Sequence, residues 1–274
     1  MSYDVAGMSY GRVPRTRVLL IACLASVVVA AALFGWLWSI RDKARAPVLM
    51  YCAVAVRTPV EAIAHEYEAT QGVRIELQFG ASQTLITNAT VSHTGDLYLP
   101  ADDGYITASR DKGLLGKEFA LAKQRLVLVV KRGNPKQIRT LDDLLRQDVK
   151  LAQANPDAAA SGKVTRDVLT KSGQWEAIRQ HTTVFTATVV EAANDVNLGA
   201  ADAAFIWDAM ATQYVDLEVV PLDVLSHAES KLVVAILRSS SNVAAATGFA
   251  QFMAAPEHGL IQFKRAGFSV ETAP

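Results

Sequence analysis

Cysteine is scarce in this chain, at two in 274 residues. Cys23 lies in a long apolar run near the N-terminus and Cys52 in a segment patterned as a buried strand, so the two do not bridge and Cys52 reads as a small core hydrophobe. No C-x-x-C, H-E-x-x-H or calcium-loop spacing occurs, so no metal or cofactor is expected. Aromatic residues make up 7%, and the formal net charge is zero. Six of the 27 basic and two of the 27 acidic residues precede Pro47, which leaves the rest at a net charge of about −4. A mildly acidic body without a basic stripe interleaved with aromatics argues against nucleic acid as a partner.

Marks of catalysis are equally thin. His65, His93, His181, His227 and His258 are scattered, and Gly80-Ala81-Ser82-Gln83-Thr84 lacks the final glycine of a hydrolase elbow. Asp102-Asp103 beside Gly104 reads as a turn rather than a catalytic carboxylate pair. The chain is therefore not expected to be an enzyme.

Apolar residues are abundant, at 51%, enough for one large or two modest cores. The run Val18–Ile40 carries no charge and is long enough to cross a bilayer, with Arg12, Arg15 and Arg17 before it and Trp36 and Trp38 near its end. A cleaved signal ending at Ala44-Arg45-Ala46, or a lipoprotein signal ending at Cys23, fits less well. The run outlasts an ordinary signal core in both cases, and Arg41-Asp42-Lys43 intervenes before the first of these sites. Residues 1–46 are expected to be a cytoplasmic tail and one transmembrane helix, with the body outside the cytoplasm, in the periplasm or at the cell surface.

From Pro47 onward strands alternate with helices, the pattern of a parallel-rich α/β architecture. Met50–Val56 is a nearly unbroken apolar run, as in a strand covered on both faces. Thr58-Pro59-Val60-Glu61 reads as a capping box opening a helix that Gly72 ends. Val73–Phe79 alternates like a strand, and Arg125–Lys131 (RLVLVVK) is the strongest strand signal in the chain. Leu141–Gln147 reads as a short helix. The length favours two lobes, with a division at 47–125 plus 221–274 for the first and 126–220, which carries its own βαβ series, for the second.

Four loops bring small or backbone-led residues to a helix start: Ala55 to Thr58, Ala81-Ser82, Ala160 to Gly162 and Thr188 to Val190. Unpaired N–H groups in a helix's first turn bind anions without a full positive charge. One such loop means no more than a capped helix, whereas four that converge would make an anion site. Arg57 is either a solvated loop charge or a fixed cation beside that site. Trp207, at the end of the DAAFI strand, either fills core or walls a ligand cleft.

These residues carry a resemblance to a known family. In order along the chain stand VLMYCAVAV, TPVEAIAHEYEATQGV, FGASQTL, GDLYLPADDGYI, KGLL, LVLVVKRGNP, LAQANPDAAASGKVTRDVLTKSGQW and ADAAFIWDA. Together they resemble the molybdate/tungstate-binding proteins, the extracytoplasmic receptors of ABC transporters, over about Val48 to Gly267. The resemblance implies a two-lobed, type II periplasmic-binding-protein fold holding a small tetrahedral oxyanion between lobes with neutral donors and delivering it to an ABC permease. It places the family's loop serines at Ala55 and Ser82, its backbone donors at Ser161 and Val189, and its tyrosine hydroxyl at Trp207. Ala55 and Trp207 depart from that pattern, and Arg57 is additional to it. The ligand-binding set expected here is thus Ala55, Arg57, Ser82, Ser161, Val189 and Trp207. The alternative from another class is a sensory or structural cleft protein that binds another small anion without transport.

Overall fold

The computed structural model describes residues 29–30, 32–34 and 47–270. The tail and most of the anchor expected over Val18–Ile40 lie outside the described residues, as do both alternative processing sites, Cys23 and Ala44–Ala46. Among the described residues no helix is long and apolar enough to cross a membrane.

The first apolar run forms strand β1, Val48–Ala53. It ends in a 3-10 turn, Val54–Val56, that passes directly into helix α1, Arg57–Gln71. This overturns the expected capping box. The 3-10 turn has already wound the backbone before Thr58, so Thr58 lies inside the first turn and Val56 takes the N-cap position without a side-chain hydrogen bond. Thr58 Oγ1 donates to Gln213 Oε1 at 3.0 Å, and Glu61 pairs with Arg57 at 3.3 Å. Gly72 closes the helix in the left-handed conformation, φ +68°.

Strand β1 pairs in parallel with β2 (Ile75–Gly80) and β3 (Leu97–Leu99). The strand expected at Arg125–Lys131 is far longer, running as β4 from Leu115 to Lys131. Leu115–Arg125 pairs antiparallel with the late strand Glu229–Leu237, and Leu126–Lys131 pairs antiparallel with Ala203–Trp207 and Leu217–Val220. In chain order after β4, the remaining strands are β5 (Leu151–Ala154), β6 (Thr182–Thr186), β7 (Ala203–Trp207), β8 (Leu217–Val220) and β9 (Glu229–Leu237). The strand order is β2-β1-β3-β9-β4-β7-β5-β6, with β8 also on β4. Expected as parallel-rich, the sheet is mixed. Two parallel groups, β2-β1-β3 and β7-β5-β6, are joined through antiparallel β4 and β9.

Helices cover the sheet: α2 (Ser82–Ser92), α3 (Asp103–Asp111), α4 (Ala160–Lys171), α5 (Trp175–His181), α6 (Val189–Asn197), α7 (Asp208–Ala211), α8 (Val243–Met253) and α9 (Gly259–Arg265). The helix expected at Leu141–Gln147 is a 3-10 turn, Asp142–Leu145. Among the described residues Trp207, Tyr98, Phe205, Phe249 and Phe263 are the largest fully buried side chains, and they lie on strands and helices of both parallel groups and the C-terminal pair.

Candidate functional site

Where strands end and helices begin, the two parallel groups meet around one cavity. From the first group come Ala53 to Ala55 at the end of β1, Gly80 to Ser82 between β2 and α2, and Ala101 after β3. From the second come Ala159 to Ser161 at the start of α4, Thr188 and Val189 at the start of α6, and Trp207 at the end of β7. The cavity volume is about 10 Å³, the scale of a single water molecule. Ser82, Ser161, Thr188 and Trp207 are the lining residues with polar side chains, and none of the lining side chains is charged.

Each loop is shaped for close approach. Gly162, third in α4, lies against the end of β5, where a Cβ would come 2.1 Å from the Ala154 carbonyl oxygen. This contact seats the first turn of α4 on the strand and brings Ala160 and Ser161 to the cavity. Thr188 caps α6, its hydroxyl oxygen accepting from the Glu191 N–H at 3.3 Å, while Glu191 accepts from the Ala187 N–H at 3.0 Å. Ser82 Oγ accepts from the Ala101 N–H at 3.2 Å, and the Ser82 carbonyl accepts from the Tyr98 hydroxyl at 2.9 Å. The starts of α2, α4 and α6 thus face the cavity with the positive ends of their dipoles.

Five of the six expected site residues, Ala55, Ser82, Ser161, Val189 and Trp207, line this one cavity. Arg57 does not. Its guanidinium lies 4.1 Å over the Phe79 ring and 3.3 Å from Glu61, and the side chain is half exposed. Sequence reasoning missed the Ala101 backbone, which hydrogen-bonds Ser82, because no pattern links a loop after β3 to the start of α2. Among the described residues no three His, Cys, Asp or Glu side chains gather to hold a metal ion.

Contacts also run between the two groups. The Gln83 N–H donates to the Ala158 carbonyl at 2.9 Å, and Lys163 Nζ approaches Asp102 Oδ1 at 3.7 Å. Asp102 is buried beside Ala101 and accepts from Ser230 Oγ at 2.9 Å and from the Gly104 N–H at 3.1 Å. Burial pushes its carboxyl above the usual range, and the Ser230 hydrogen bond and the Lys163 charge only partly offset this. A raised folded-state value means that its stabilising contribution is complete below the ordinary carboxylate range and is lost as pH rises through the shifted one. Asp102→Asn should therefore gain in melting temperature relative to the parent as pH rises above the ordinary carboxylate range of about 4. A parent-to-variant difference that stays constant as pH rises would show that this carboxyl titrates normally.

A cavity of helix starts between two sheet groups is the architecture of a solute-binding protein. A family model described as "Bacterial extracellular solute-binding protein" matches residues 48–269, and the chain belongs to that family. The chain is 23% identical over 236 residues to the molybdate-binding protein ModA of Escherichia coli K12, covering 82% of this chain and 89% of that one. It is 26% identical over 162 residues to ModA of Mycobacterium tuberculosis H37Rv, spanning 58% of this chain and 60% of that protein. The solved periplasmic molybdate-binding protein of Azotobacter vinelandii superposes with a TM-score of 0.68 at 19% identity, covering 82% of this chain and all of that one. The family and these relatives are binding proteins rather than enzymes, and they bear out the resemblance read from the sequence.

Proposed function

We propose that the cavity binds a small, fully deprotonated tetrahedral oxyanion, molybdate or tungstate, and that the protein delivers it to an ABC permease. The observation that carries this reading is the lining: three helix starts, side-chain donors, no charged side chain and no carboxylate. Such a surface favours an acceptor-only ligand, because an oxyanion bearing a proton would need an acceptor to meet it. Molybdate-binding relatives support the choice of ligand. In this reading residues 47–125 with 221–274, and residues 126–220, act as two lobes joined near Leu126 and Val220. A space as small as one water molecule requires them to part for an anion to enter. The charge-free run Val18–Ile40 keeps the body tethered at the outer face of the membrane.

The full chain, purified from membranes, tests both parts. Molybdate or tungstate at a hundredfold excess over Kd should raise the melting temperature by about 5–10 °C, with hydrogen phosphate shifting it least. No shift with any oxyanion would remove the reading. Mass spectrometry of the same preparation should find the N-terminus intact, and a chain beginning at Pro47 or an acylated Cys23 would refute the tether.

A further inference from the structure

Buried polar atoms without a partner are rare in folded proteins, and each calls for a reason. Two belong to residues that line this cavity. The Ser161 hydroxyl oxygen and the Trp207 indole nitrogen are both enclosed, and neither has a hydrogen-bond partner among the described residues. The other two polar side chains of the lining are already engaged. Ser82 Oγ accepts from Ala101, and Thr188 Oγ1 accepts from the Glu191 N–H while donating to the Glu191 carboxylate at 3.0 Å. Ala55 contributes a methyl group where a polar side chain would have offered a donor.

We propose that the Ser161 hydroxyl and the Trp207 indole N–H are the principal side-chain donors to the bound anion, so that side-chain recognition is concentrated on the 126–220 half. The inference rests on the oxyanion reading above. An indole N–H donates only, in one fixed direction, whereas a hydroxyl turns and can also accept. Trp207 therefore sets the orientation of the anion and demands an unprotonated oxygen at its position. Ser161 adds its hydroxyl to the backbone N–H that the same helix start presents, which gives one residue two contacts.

The test is calorimetric titration with sodium molybdate of the parent protein, of Ser161→Ala, and of a form in which Trp207 is replaced by 3-benzothienylalanine, which keeps the ring shape and exchanges N–H for sulfur. Each change should weaken binding about 10- to 100-fold, the range for a hydrogen bond to a charged partner. The melting temperature without ligand should hold or rise, because a buried unpaired group has been removed. A loss of affinity matched by a comparable loss of ligand-free stability would make these packing groups and overturn the assignment. Unchanged affinity in both variants, with a parent that binds molybdate, would overturn this inference alone. A parent that binds no molybdate would take the oxyanion reading down with it.

Discussion

Replacing Gly162 with alanine should destabilise the protein by on the order of 3 kcal/mol and abolish anion binding. The added Cβ would stand 2.1 Å from the Ala154 carbonyl oxygen and 2.8 Å from the carbonyl carbon of Asn155. Both are backbone atoms at the end of β5, so no side chain can swing aside to make room. Relief requires the start of α4 to lift off the strand, and that movement carries Ser161 away from the cavity. Denaturant unfolding and a molybdate titration on the same preparation measure the two effects. Parental stability with binding intact would show that the helix start is free to shift, and the argument from close packing would fall.

Ser82→Ala should lower ligand-free stability by about 1–3 kcal/mol and weaken binding less than Ser161→Ala does. The two losses have separate origins. The Ser82 oxygen holds the Ala101 N–H, and its own hydrogen, left free by that arrangement, can add a secondary contact to the anion. Truncation removes the donor and strands a buried amide at Ala101, which is 3% exposed. This pattern differs from that expected of Ser161, whose hydroxyl holds nothing else among the described residues. A Ser82→Ala variant that binds as tightly as the parent would exclude Ser82 from the site.

The strands around the cavity are legible in the sequence because a strand buried on both faces must be apolar at every position. The runs at Met50–Val56, Arg125–Lys131 and Asp202–Ile206 fall on strands β1, β4 and β7, except that Val54–Val56 wind into the 3-10 turn. The first part of β4 is not legible. Lys117, Glu118 and Lys123 interrupt it, and register shifts at Leu115/Glu118 and Ala120/Ala122 break the alternation that marks a half-buried strand. Its partner lies more than a hundred residues away, so no local pattern announces the pairing. Helix α5 is short and opens without a side-chain cap, which removes the usual start signal.

Convergence of the small-residue loops follows from topology. Once β1, β2, β5, β6 and β7 are placed in two parallel groups, their following loops have few other places to go. Arg57 shows the opposite case. Its position after the first buried strand suggests a ligand contact, but its long side chain reaches the Phe79 ring on β2. That choice depends on the pairing of Cys52 with Phe79 across β1 and β2, which spacing along the chain does not reveal. Trp207 is legible as a residue at a strand end, while its unpaired nitrogen emerges only once every neighbour is in place.

Strand β4 has one more consequence. Its seventeen residues supply hydrogen-bonding edges to β9, which borders the first parallel group, and to β7 of the second, and the chain passes from one ladder to the other between Arg125 and Leu126 without a break. Neither group can shed its share of that strand without fraying the other's. The body should therefore melt in one cooperative step, unlike a pair of domains strung on a linker, and a cut after Arg125 would leave two fragments that each lack the backbone they need to fold.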